Sequence, residues 1–111
     1  MISIKKADNP FKENNNITDN AYICTDKDKI LGIVEYKYEN ESLVLKKINS
    51  DDLSIADGLV RQTMSNALDE GCKICVFDKE IGEQLFKLKI IKDNTQKSID
   101  ILSFFIKLNC F

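Results

Sequence analysis

The side chains able to do chemistry are few in kind. The 111-residue chain has no histidine, so neither a Ser-His-Asp nor a Cys-His nucleophile system can be assembled from it. No Gly-x-Gly-x-x-Gly and no Walker-type phosphate loop occurs. Cys72-Lys73-Ile74-Cys75 is a C-x-x-C. A redox pair needs its first thiol at a helix start, where the pKa falls. Here the motif runs into a strand-like stretch, and residues i and i+3 of a strand face opposite sides. A zinc site needs two further ligands, and Cys24 and Cys110 are its remote candidates. These cysteines read as buried thiols, and no metal site is expected. Asp26, Asp28, Glu35, Glu39 and Glu41 are carboxylates that could act as general bases, but they equally suit turns and solvated strand faces. Strand alternation puts Glu35 beside Ile33, and Tyr36 and Tyr38 beside Val34, where packing is their role. No catalytic residue is assigned.

The elements that must position these groups follow from the pattern. Residues 2–7 (ISIKKA) suit an edge strand, and residues 8–20, with Pro10 and Asn14-Asn15-Asn16, a mobile loop. Three strand-like runs follow: 21–25 (AYICT), 30–38 (ILGIVEYKY) and 42–48 (SLVLKKI). The short polar turns between them favour an antiparallel meander. Then the period changes. Ile55, Leu59, Val60, Thr63, Met64, Ala67 and Leu68 recur at helical spacing. Ser50, Asp51 and Asp52 offer N-cap oxygens and Gly71 suits C′, which predicts a helix over 53–70. Gly58 lies inside it at a cost of ~1 kcal/mol relative to Ala; close approach of a ligand or tight packing on the sheet would each explain it. Residues 73–77 (KICVF) suit a buried parallel strand, and 80–88 a second helix. Residues 100–108 (DILSFFIKL) suit a terminal helix, with a strand as the alternative. The apolar end, Phe104-Phe105-Ile106 with Phe111, either completes the core or forms part of a dimer interface.

Bulk composition narrows the classes. The length is that of one domain spanning residues 1–111. Sixteen basic and eighteen acidic residues leave a charge of −2, and Arg61 is the only arginine. That excludes a general nucleic-acid binder, which needs clustered cations. No apolar run approaches the ~18 residues of a membrane span. The chain opens on Met1 with no apolar run behind it, so no signal peptide is expected. A reducing cytoplasm with free thiols is the expected setting. The abundance of Lys, Asn, Ile and Asp fits an AT-rich bacterial genome.

The order meander, long helix, buried strand, helix over residues 21–91 resembles the central half of the GNAT (Gcn5-related N-acetyltransferase) fold. Segment 51–71 lines up with that family's Arg/Gln-x-x-Gly-x-Gly/Ala and the leucine-rich helix after it. Leu59 and Val60 stand at the paired leucines, Ala56 at the last small position, and Ala67 and Gly71 also fit. Ser54 replaces the central Gly and Asp51 the Arg or Gln. The resemblance implies an α/β fold: a mixed, mostly antiparallel sheet of about five strands with two or three helices. It implies acetyl-CoA as cofactor, held by the strand end Ile48, Asn49 and Ser50 and by the helix start Leu53, Ser54, Ile55, Ala56, Gly58 and Leu59. It further implies direct attack of an amine, of a small molecule or a peptide, on the thioester. Several departures point to an alternative, a non-catalytic binding or dimerisation module. Asp51 and Asp52 lie where the diphosphate docks, and one unit charge pair at ~6 Å is worth roughly 0.7–3 kcal/mol. Phe86 stands where the family often has a proton-donating Tyr. The family's N-terminal helices and last strand pair have no counterpart in the pattern.

Overall fold

Among the described residues, every strand lies next to the strand that precedes it in sequence. A computed structural model describes residues 2–8, 20–27 and 29–109. Its six strands are β1 (Ile2–Asp8), β2 (Asn20–Asp26), β3 (Lys29–Glu39), β4 (Ser42–Ser50), β5 (Ile74–Val76) and β6 (Ser98–Asp100), in that spatial order. Helices α1 (Leu53–Asp69), α2 (Lys79–Lys87) and α3 (Ile101–Asn109) follow β4, β5 and β6. Only the β4–β5 pair is parallel. It is the one pair joined by a crossover helix, as chain geometry requires. Of the expected loop over 8–20, Asp8 ends β1 and Asn20 begins β2; the rest of it, with Asp28, Cys110 and Phe111, lies outside the described residues.

The sheet forms where the alternation put it. Val34 and Tyr36 of β3, with Leu43, Leu45 and Ile48 of β4, are buried beneath α1. From α1 they meet Ala56, Leu59, Val60, Thr63, Met64 and Ala67. Each fully buried aliphatic side chain contributes about 1.5–3 kcal/mol, so this layer is the main source of stability. The buried Thr63 hydroxyl is satisfied by donating to Leu59 O at 2.7 Å. The β3–β4 turn places Asn40 (φ 50) and Glu41 (φ 64) in the left-handed region, as a two-residue hairpin of matching twist demands. Gly71 (φ 95) takes the C′ position of α1. The Cys72 N–H then reaches Ala67 O at 2.9 Å and the Gly71 N–H reaches Leu68 O at 3.0 Å, satisfying carbonyls the helix leaves open.

The mixed, mostly antiparallel sheet is the expected one, and two of its details differ. Among the described residues it has six strands, because Ser98–Asp100 pairs with β5 where no strand was expected. Its one buried residue, Ile99, is too little to show a period. The strand over 73–77 shrinks to Ile74–Val76, which matters for the cleft described below. The terminal segment forms the expected helix. Phe104 and Phe105 pack on the core while Leu102 and Ile106 stay exposed.

Of the interior glycines, Gly32 is the one that packing demands. A methyl there would lie 2.9 Å from Ser50 Cβ, 3.0 Å from Leu59 Cδ1 and 3.1 Å from Ile55 Cγ2. At Gly58 it would meet only Ile4 Cδ1, at 3.5 Å. Tight packing therefore does not explain Gly58. Gly32→Ala should cost about 1–3 kcal/mol in urea unfolding, whereas Gly58→Ala should be neutral or stabilise by up to about 1 kcal/mol.

The three tyrosines form a second test of the core. Tyr22 and Tyr36 stack at 5.2 Å, and Tyr38 lies 5.4 Å from Tyr36. Tyr22 Oη accepts a hydrogen bond from Asn66 Nδ2 at 2.7 Å. The Tyr36 hydroxyl is fully buried without a well-formed hydrogen bond. Burial beside the other two phenols pushes its pKa above the tyrosine range. Because an unsatisfied buried hydroxyl costs about 1–3 kcal/mol, Tyr36→Phe should raise the unfolding free energy by about 1 kcal/mol in the same assay.

Candidate functional site

β4 loses one of its neighbours a third of the way along. It pairs with β3 from Ser42 to Ser50, but with β5 only at Ser42, Leu43 and Val44. A register shift opposite Glu35 and Tyr36 leaves Lys46 as an extra residue, a bulge that bends the strand. Beyond Val76 the chain turns away through Phe77 and Asp78 into α2. The result is a cleft of about 470 Å³ with residues 46–49 on one wall and Asp78, Glu80, Ile81 and Gln84 on the other. A second recess of about 350 Å³ adjoins it at the strand tip, lined by Gly32, Ile33, Asn49, Ser50 and Asp51 among others. Asn49 belongs to both.

Backbone groups along the uncovered edge of β4 need partners. Gln84 Nε2 supplies one by donating to Ile48 O at 2.9 Å. This bridge from α2 to the strand crosses the cleft. Nothing in the sequence announced it, since one glutamine on the polar side of a short helix carries no pattern. Lys46 and Lys47 were likewise unremarkable before the bulge placed them at the wall.

The start of α1 is capped from within the chain. Asp52 Oδ1 accepts the Ser54 N–H at 2.8 Å and the Ile55 N–H at 3.3 Å. The Ala56 N–H bonds Asp52 O at 3.0 Å, so the helix's own ladder takes the amides from Ala56 onward, including those of Gly58 and Leu59. Ser50 Oγ ties the strand end to β3 by donating to Leu31 O at 3.0 Å. Ala56 and Leu59 are buried in the core, whereas Leu53 is 63% exposed. The structure thus brings Ile48, Asn49 and Ser50 to the recesses and places Leu53, Ser54 and Ile55 at the adjoining helix start.

Other candidate chemistry is not in the cleft. Cys24, Cys72 and Cys75 are buried, and desolvation raises all three thiol pKa values, that of Cys75 to about 12. Protonated thiols are poor nucleophiles and poor ligands. No group of three or more Cys, Asp or Glu side chains among the described residues could hold a metal. Glu35 is buried opposite Lys47 in the β3–β4 register. Glu39 pairs with Lys37 at 2.9 Å, and this lowers its pKa. Phe86 is exposed on α2 and has no proton to give.

No family model matches the sequence, and no curated protein matches it. Solved structures do. A proposed acetyltransferase from Exiguobacterium sp. 255-15 superposes with a TM-score of 0.65 at 10% identity, covering 99% of both chains. An acetyltransferase of the GNAT family from Staphylococcus aureus Mu50 gives 0.56 at 16% identity, over 78% of this chain and 79% of its own. A Bacillus subtilis acetyltransferase solved in complex with CoA gives 0.55 at 12% identity, over 80% and 76%. The chain has the GNAT acetyltransferase fold. Within it, the meander, the long helix α1, the buried strand β5 and the helix α2 follow in the expected order. Among the described residues no helix precedes α1, and a single short strand follows α2.

Two measurements check this site. Asp52→Ala should lower stability by about 1 kcal/mol, the usual cost of an N-cap, read by urea unfolding. Peptide mapping after iodoacetamide treatment in mildly alkaline buffer should find Cys72 and Cys75 unlabelled in the folded protein and labelled in urea.

Proposed function

We propose that this GNAT-fold protein binds acetyl-CoA along the uncovered edge of β4 and presents it to an amine acceptor. The Gln84–Ile48 bridge across the cleft carries the reading, because it marks a strand edge whose backbone seeks amide partners. An extended amide-bearing arm offers the donors and acceptors of a missing strand. Neighbours solved with coenzyme A, from Bacillus subtilis and Neisseria gonorrhoeae, support the same class of ligand.

In this reading Ile48, Asn49 and Ser50 would hold the pantetheine arm, with Ile48 O, now bonded to Gln84 Nε2, as an acceptor for one of its amides. The Leu53, Ser54 and Ile55 amides face the diphosphate at a helix start, where an anion is favoured. Ala56 and Leu59, both buried, hold that helix start against the sheet, and Gly58 leaves room on the following turn. Asp52 must swing off the Ser54 and Ile55 amides before an anion can take them. Bound there, acetyl-CoA supplies a thioester open to direct attack by the amine of a small molecule or a peptide, with no covalent enzyme intermediate.

A second reading, a non-catalytic binding module, is favoured by two features: Phe86 in place of a proton donor, and an anion site already filled by Asp52. Calorimetric titration with CoA and acetyl-CoA separates the two. Micromolar binding is expected, tightened about fivefold by Asp52→Ser, which keeps a capping oxygen and removes one repelling charge. No heat at millimolar cofactor, in the wild type and in Asp52→Ser alike, would overturn the first reading and leave the second.

A further inference from the structure

A separate recess of about 470 Å³ lies where α1, the turn after α2, β6 and α3 meet. It shares no lining residue with the cleft or the strand-tip recess. Ile90, Ile91 and Ile99 give it a buried apolar floor. Three cations stand around that floor: Arg61, Lys89 and Lys92. In a chain of net charge −2, this is a local inversion of sign.

The cations are arranged for use. Arg61 Nε donates to Asp57 Oδ2 at 2.8 Å, and its guanidinium lies over the Phe104 ring at 5.1 Å. One contact, an ion pair that offsets part of the charge, fixes the side chain, the other fixes its plane, and the two terminal amino groups are the further donors of the guanidinium. Lys89 stands at φ 61, a helix-end position where glycine is the usual residue. The one carboxylate in the lining, Asp100, offsets one of the three positive charges, and its Oδ1 accepts the Ser103 N–H at 3.0 Å at the start of α3.

We propose that this recess binds a small carboxylate with an apolar body. The planar fork of Arg61 matches a carboxylate with two parallel hydrogen bonds, Lys89 and Lys92 add charge at the rim, and the isoleucine floor with Phe104 takes the hydrocarbon. The volume is at the lower end of small-molecule sites, which selects a body of one ring or a short branched chain. The site stands on other residues than the cleft and does not depend on thioester binding.

The test is a nitrogen-15 NMR titration of the full chain with phenylacetate at constant ionic strength. 2-Phenylethylamine keeps the body and reverses the charge; inorganic phosphate keeps the charge and drops the body. Phenylacetate should give saturable shifts at the amides of residues 89–92 and 99–104 and at the Arg61 Nε–H, at millimolar concentration or below. The amine should give none, and phosphate should bind about tenfold more weakly. Arg61→Gln should weaken phenylacetate about tenfold, the worth of one charged hydrogen bond, and Lys92→Gln about threefold, the worth of an exposed rim charge. Lys92 is exposed, so its replacement decides the matter even if Arg61→Gln unsettles α1. Absence of saturable shifts, equal response to phosphate or to the amine, or unchanged affinity in Lys92→Gln would overturn the proposal.

Discussion

A strand that loses its neighbour must satisfy its backbone by other means. β4 is held along its whole length by β3 and for only three residues by β5. Every feature of the cleft follows from that inequality. The bulge at Lys46 bends the free portion, the short β5 releases the chain into α2, and the Gln84 amide answers one exposed carbonyl. The cleft opens where β5 stops, because residues 46–49 of β4 lie beyond Val44, the last position that β5 pairs.

The start of α1 shows the opposite condition. Its amides are a natural anion site, yet the chain supplies its own anion in Asp52. Stability and binding compete at this point, because the carboxylate that caps the helix occupies the donors a phosphate would use. Gly32 sets the geometry of this competition. Only the missing side chain there lets Ser50, Ile55 and Leu59 close over β3, which brings the helix start next to the strand end.

Most of the architecture was legible because it rests on repeated patterns. The α1 face, the meander and the Gly71 ending are each specified by several residues that agree. Asp52 was one of three capping candidates, and its geometry chose among them. The parts that escaped depend on single residues or on lengths. Ile99 alone marks β6. Gln84 has no neighbour that betrays its role. The cleft depends on where β5 stops, and KICVF reads as five strand residues although three are paired. Gly32 interrupts an otherwise strand-like run, and such an interruption does signal close approach; Gly58 drew the attention because helices tolerate glycine less. The recess joins Arg61 to residues 28 to 43 positions further along the chain, a proximity that no local pattern encodes.

The coincidence of spatial and sequential strand order has a consequence for how the molecule is made. A chain emerging from the ribosome can lay down each strand against the one just completed, with no segment waiting for a distant partner. The long closures are 51–73 between β4 and β5 and 77–97 between β5 and β6, and each carries a helix that forms locally. Such local wiring favours rapid assembly and shortens the time that unpaired edges are available to other chains.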